Sequence, residues 1–258
     1  MRRFFAQAKE LSSGRAVIKG PDARHLRTIL RVKPGDEIFL FDGQGWDYRA
    51  QIVEATSLGI SICVLDRLRS VSESSVSIAI GQAVLKGRKM DRIVRQLTEL
   101  GVTAFLPFLA DRSVSRPDAK SLALKTKRWQ TIAREALKQC GRFRQPHIAP
   151  TVPFETILEA TRPYDTKILF DCGQADQKAP SPLTSNNAVG SVVGLVGPEG
   201  GFSQEEIVMA CRSGFVREAV GPRILEADTA AVACAALLQH VFGDLRPTRY
   251  PHSQQPEK

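Results

Sequence analysis

The chain has 258 residues, 43% of them apolar and 24% charged, which is ordinary for a soluble globular protein with one large or two medium cores. No apolar run approaches the ~18 residues needed to cross a bilayer, and the basic start MRRFFAQAKE lacks the apolar stretch of a secretory signal. The net charge of +9 points toward an acidic partner such as nucleic acid.

In chain order, the first 68 or so residues are punctuated by Gly and Pro, and read as short strands with one helical insert. RRFFA and RAVIKG are candidate strands, PDARHLRTILRV is a helical turn or two, and EIFLFDG, WDYRAQIVEA and GISICVLDRL follow as strands. So many short strands predict a small antiparallel barrel over residues 1–70. The polar stretch SVSESS (70–75) marks a domain boundary.

The period then changes. VSIAIGQAV reads as a buried strand and RKMDRIVRQLTELG as a helix, with Met90, Ile93, Val94, Leu97 and Leu100 on its apolar side. Arg88, Arg92 and Arg95 share the opposite stripe, at i, i+4 and i+7. TAFLPFL is a strand, and a long helix runs from about Leu122 to Cys140, stopped by Gly141. A short helix (PFETILEA), a strand (TKILF) and the polar loop DCGQADQKAPSPLTSNNAVG come next. The last block is strand SVVGLVG, a helix from Gln204 to about Arg212, strand FVREAVG, the loop PRILEAD and an Ala-rich helix from about Thr229 to Phe242. This alternation predicts an α/β domain with a mainly parallel sheet over 76–245, followed by a flexible tail, 246–258.

Charge is distributed unevenly. Residues 86–144 carry 15 Lys and Arg against 5 Asp and Glu, whereas residues 145–258 carry 9 against 13. The basic region therefore suits a polyanion, and the acidic remainder a different ligand. The five cysteines are scattered, with no CxxC spacing and no histidine near two of them. That argues against a metal site and a disulfide framework, and for a reducing cytoplasm. His25, His147, His240 and His252 stand apart, each without an evident catalytic partner.

The acidic remainder contains GLVGPEGGFSQEE, a glycine-rich turn between a strand and a helix. It has no basic residue and matches neither GxxxxGK[ST] nor GxGxxG, and Glu199 would repel phosphate. Ser203 and Glu206 form a capping box that already occupies part of the helix N-terminus. Such a loop suits a flat neutral ring or a cation approached by backbone groups, a description that S-adenosylmethionine meets. The bland alternative is a tight turn with Glu199 at a solvated tip. About 20 residues on, AVGPRILEADTAAVACAALL repeats the strand–loop–helix logic, and its alanines allow close backbone packing.

GLVGPEGGFSQEE, AVGPRILEADTAA and KGRKMDRIVRQLTELGV, together with RWQTIAREALKQCGR, RRFF and HLRTILRVKPGDEI, closely resemble the bacterial 16S ribosomal RNA (uracil-N3) methyltransferase family of the SPOUT class. The resemblance runs from residue 2 to about 245. It implies an N-terminal PUA-like barrel, a C-terminal α/β domain with a deep trefoil knot, S-adenosylmethionine as cofactor, 16S rRNA or the small ribosomal subunit as partner, and a homodimer. The runner-up functions are a ribose 2′-O-methyltransferase of the same knotted class and an RNA-binding protein without turnover.

Carried onto this sequence, the cofactor-binding positions are Phe170, Leu195, Val196, Gly197, Pro198, Glu199, Gly200, Gly201, Val220, Gly221, Ile224, Leu225 and Thr229. Glu199, Arg223 and Asp228 are the candidates for the chemistry. Arg2, Arg3, Arg24, Arg27, Arg31, Lys86, Arg88, Lys89, Arg92, Arg95, Arg142 and Arg144 are the candidate RNA contacts. One departure is clear: after GPRIL the family usually continues with Arg and later Glu, where this chain has Glu226 and Asp228.

Overall fold

The structure is a computed structural model that describes residues 3–69, 73–114, 116–173, 181–184 and 189–245. Arg2, His252, residues 70–72 of the proposed 70–75 boundary, part of the 171–190 loop and the tail 246–258 lie outside the described residues. The N-terminal part contains strands β1 (Arg3–Phe5), β2 (Arg15–Ile18), β3 (Glu37–Phe41), β4 (Trp46–Ala55) and β5 (Ile60–Arg69), with helices α1 (Ala8–Ser12) and α2 (Gly20–Thr28). The sheet order is β1-β3-β4-β5-β2. The expectation of a wholly antiparallel unit fails at one strand, because β1 pairs β3 in parallel while the other pairs are antiparallel. Alternating inward residues such as Phe4, Leu40, Ile52, Ile60 and Ile62 pack on Leu26 of α2.

The C-terminal part runs β6 (Ser77–Ala83), α3 (Lys89–Glu99), β7 (Ala104–Leu109), α4 (Ala119–Cys140), β8 (His147–Ile148), β9 (Val152–Pro153), α5 (Phe154–Ala160), β10 (Thr166–Phe170), a 3₁₀ turn (Pro182–Thr184), β11 (Ser191–Val196), α6 (Gln204–Arg212), β12 (Val216–Glu218) and α7 (Ala227–Val241). Its strands are all parallel, in the order β12-β10-β11-β6-β7-β8 with β9 also on β7. Near-continuous apolar strands such as SVVGLV fit a sheet covered on both faces. One face packs Ile93, Val94 and Leu97 of α3, Trp129 and Ala133 of α4, and Ala231, Cys234, Ala235 and Leu238 of α7. The other packs α5 and α6 through Phe154, Ile157, Ile207 and Ala210.

Helix α4 begins three residues before the expected Leu122, because Asp118 caps it: its Oδ1 accepts a hydrogen bond from Ser121 N at 2.9 Å. Helix α7 packs on β11, β6, α3 and the 3₁₀ turn of the β10–β11 crossover. Leu183 and Val189 of that crossover join the core that holds α7. The last helix thus packs against both the sheet and the described part of an earlier connection.

Arginines and an acid join the two sheets. Arg3 donates to Asp47 Oδ1 at 2.5 Å and to Arg142 O at 3.1 Å, with its guanidinium over the rings of Phe41 and Phe143. Arg142 is 4% exposed and donates to the carbonyls of Thr98 (2.7 Å) and Val102 (3.0 Å), while pairing with Glu73 at 2.8 Å. Glu73 Oε1 also accepts the backbone N–H groups of Phe143 and Arg144. Removing one member of a buried ion pair leaves the other uncompensated. Arg142→Met is therefore expected to lower stability by about 3 kcal/mol in chemical denaturation, whereas Arg144→Met, at an exposed side chain, leaves the midpoint unchanged.

Candidate cofactor pocket and nucleic-acid face

The site follows from strand register. Phe170 at the end of β10 is level with Val196 of β11 and Glu218 of β12, so three connections leave the same edge of the sheet together. Ligands of parallel α/β sheets bind outside such carboxyl ends. Here the connections 171–173, 197–203 and 219–226 enclose a cavity of about 770 Å³.

Glycines shape the loop. At Gly194 an added Cβ would lie 2.8 Å from the Phe170 ring and 3.1 Å from Leu238, so its absence lets α7 and Phe170 approach β11. Gly201 turns the chain at φ 68°, a left-handed conformation that suits glycine. Gln82 in β6, wholly buried, donates to the carbonyl of Gly197 at 3.0 Å and fixes the loop from below. Beyond the turn, Ser203 Oγ accepts from Glu206 N at 3.2 Å and Glu206 Oε2 accepts from Ser203 N at 2.8 Å, the expected capping box. Glu206 Oε1 also takes Asp111 N at 2.9 Å, and Arg112 donates to Gly200 O at 3.1 Å, which ties the turn to the β7–α4 connection.

Of the predicted cofactor positions, Phe170, Val196, Gly197, Pro198, Glu199, Gly201, Val220, Gly221, Ile224 and Leu225 line the cavity. Three do not. The Leu195 side chain points to the opposite core, Gly200 lies against Arg112, and Thr229 is exposed on α7. Asp171, Cys172, Phe202, Ala230 and Cys234 are walls that the sequence reading missed. The first two could have been found as the residues following Phe170 on an aligned strand. Asp171 pairs with Arg217 of β12 at 2.5 Å. Burial pushes the Cys234 thiol well above its ordinary range, so it stays protonated and apolar in character.

The three candidates for the chemistry are placed differently. Glu199 is exposed at the cavity rim, where its Oε1 lies 3.4 Å from Lys86 N. Arg223 is exposed on the wall, with no hydrogen bond or ion pair among the described residues. Asp228 is largely buried beside the cavity, 3.5 Å from Lys89. Lys89 itself lines the cavity and binds Glu226 at 3.0 Å, and that hydrogen bond holds its ammonium above the ordinary lysine range.

The basic face is narrower than expected. Lys86, Arg88, Arg92 and Arg95 are exposed, and their side chains form no ion pair among the described residues. Arg24, Arg31 and Arg144 are exposed as well, whereas Arg27 donates to Thr56 O at 2.7 Å and braces the β4–β5 turn. Arg3 and Arg142 leave the set of candidate contacts, because both guanidiniums are already consumed inside the protein. Lys89 belongs to the pocket rim rather than to the stripe.

Comparison with known proteins gives this architecture its family. A family model described as an RNA methyltransferase domain matches residues 72–239, and one described as an RNA methyltransferase PUA domain matches residues 18–62. The chain belongs to this RNA methyltransferase family. A relative from Bacillus subtilis named ribosomal RNA small subunit methyltransferase E is 28% identical over 247 residues, covering 93% of this chain and 96% of its own length. A crystal structure of the protein of that name from Neisseria gonorrhoeae, bound to S-adenosyl methionine, superposes with a TM-score of 0.84 at 30% identity, covering 95% of this chain and all of the other. A Legionella pneumophila protein, solved with the bound cofactor SAM, gives a TM-score of 0.82 at 26% identity, covering 95% and 99%.

The close approach at Gly194 is testable. In Gly194→Ala the new methyl forces Phe170 toward the cavity, an overpacking that costs about 1–3 kcal/mol. Thermal denaturation should show that loss, and a ligand of the cavity should bind more weakly to the variant by calorimetry.

Proposed function

We propose that the chain uses S-adenosylmethionine to methylate N3 of a uridine in the 16S RNA of the small ribosomal subunit. The observation that carries this reading is the convergence of the two glycine loops on one cavity with Lys89 of α3 at its rim, on the helix whose exposed arginines form no ion pair among the described residues. The cavity fits the cofactor by its own chemistry. Its lining includes the apolar Phe170, Ala230 and Cys234, and at Gly197, Gly201 and Gly221 no Cβ stands between a ligand and the backbone. Carboxylates at its rim favour a cationic ligand. S-adenosylmethionine supplies an electrophilic methyl group when bound.

The chain's own residues hold, orient and shield. Gly197, Gly201 and Val220–Leu225 would hold the adenosine, with Phe170 beside it. Glu199 serves as a contact to ribose or base, and Arg223 offsets charge on the uracil oxygens. Asp228, whose Oδ1 is buried without a hydrogen-bond partner, orients Lys89. N3 lies on the pairing edge of uracil, so the target base must be unpaired or turned out of its stack. Lys86, Arg88, Arg92 and Arg95 neutralise RNA phosphates, with Arg24 and Arg31 of the PUA domain fixing orientation.

The protein works in the cytoplasm as a homodimer under this reading. The family resemblance supports the dimer, and five free thiols support a reducing compartment. Size-exclusion chromatography with light scattering is expected to give twice the 28.3 kDa chain mass.

The deciding experiment is nucleoside analysis of small-subunit RNA incubated with protein and S-adenosylmethionine. The expected product is 3-methyluridine; a methyl group on a ribose 2′ oxygen would replace the reading with another. RNA affinity should fall steeply with salt, and neutralising one of Arg88, Arg92 or Arg95 should reduce the salt slope by about 1.

A further inference from the structure

Lys89 opens α3 and Glu226 caps α7, so two helix N-termini meet at the cavity mouth. The helix dipole disfavours an ammonium there, and two carboxylates hold it in place: Glu226 Oε2 at 3.0 Å and Asp228 Oδ1 at 3.5 Å. The acids are not equivalent. Glu226 lines the cavity with its side chain 76% exposed. Asp228 is off the cavity wall, 14% exposed, with Oδ1 buried and accepting no hydrogen bond. A base entering the cavity therefore meets Glu226 and Lys89 first.

The ammonium has three donors. One is donated to Glu226 and the Asp228 contact is an ion pair without a hydrogen bond, so donors are left for a ligand. Arg223 also lines the cavity, but nothing among the described residues fixes it, and a donor fixed in advance needs no reorganisation as charge develops.

We propose that Lys89 and Glu226 are the proton-handling couple for a uracil held at this mouth. The inference rests on the N3-uridine reading and adds to it the groups that ionise the base. The N3–H bond breaks, the proton passes to Glu226, and the electron pair stays on N3. The negative charge spreads onto O2 and O4, where Lys89 donates to one oxygen. The coupling has a direction. Once Glu226 is neutral it releases its hold on Lys89, so the ammonium's attraction shifts to the uracil as the base becomes anionic. An interaction that strengthens along the reaction accelerates it, whereas one present throughout does not. Asp228 stays ionised behind Lys89 as a positioning residue. Glu226 stands where related sequences usually carry Arg, and here the cation comes instead from α3.

The test compares single-turnover methylation of small-subunit RNA transcribed with uridine or with 5-fluorouridine, whose N3 proton is more acidic. Lys89→Met and Glu226→Gln should each slow methylation of uridine RNA by about 100-fold. The loss should be clearly smaller on 5-fluorouridine RNA, because the base needs less help to ionise. Lys89→Arg should recover most of the rate, and calorimetric affinity for S-adenosylmethionine should fall far less than the rate in every variant. A loss of equal size on both RNAs, an undiminished rate, or a loss of cofactor affinity as large as the loss of rate would each overturn the couple. Wild-type protein that forms no 3-methyluridine would instead overturn the reading beneath it.

Discussion

The packing of α7 onto β11 is the contact on which the cavity depends. Gly194 leaves room for Leu238 and the Phe170 ring where any side chain would collide, and Ala231, Cys234 and Ala235 keep the helix thin along the same line. A helix this narrow packs closely on the sheet while also touching the 3₁₀ turn of the β10–β11 crossover. Once it does, the 219–226 connection has to cross the ends of β10 and β11 to reach it. The ligand cavity is the space left under that crossing, facing the glycine turn. Helix packing and binding thus share one cause: small residues at the closest approach.

Charge is segregated around that frame. The arginines that join the two sheets, Arg3 and Arg142, are compensated by Asp47, Glu73 and backbone carbonyls. Those of the α3 stripe are exposed and form no ion pair among the described residues. Burial raises the Asp47 carboxyl and Arg3 works against that rise, as expected for an acid kept inside by a partner. A residue's contribution to a positive field is therefore decided by what surrounds it, and counting basic residues along the chain overstates the surface available to RNA.

Much of the C-terminal part was legible in the sequence because period and punctuation agreed. The apolar stripe of α3, the Ser203–Glu206 box opening α6 and Gly141 closing α4 are local signals, and each element lies within a few residues of its expected span. Non-local features escaped. The parallel pairing of β1 with β3 depends on where a distant strand lies, and Asp171, Cys172 and Cys234 become cavity walls only through strand register and helix packing. The family motif carries Leu195 into the cofactor set, but alternation along the strand turns its side chain to the opposite core. The burial of Arg142 was likewise invisible, since nothing local in GRFRQ distinguishes it from Arg144.

The central claim is that the two connections after β11 and β12 clasp the methyl donor. A crystal structure of the protein soaked with S-adenosylmethionine tests it directly. The account predicts density for the whole cofactor between 197–201 and 219–225. Density elsewhere on the molecule, or a cavity still filled only by solvent at saturating ligand, would contradict it.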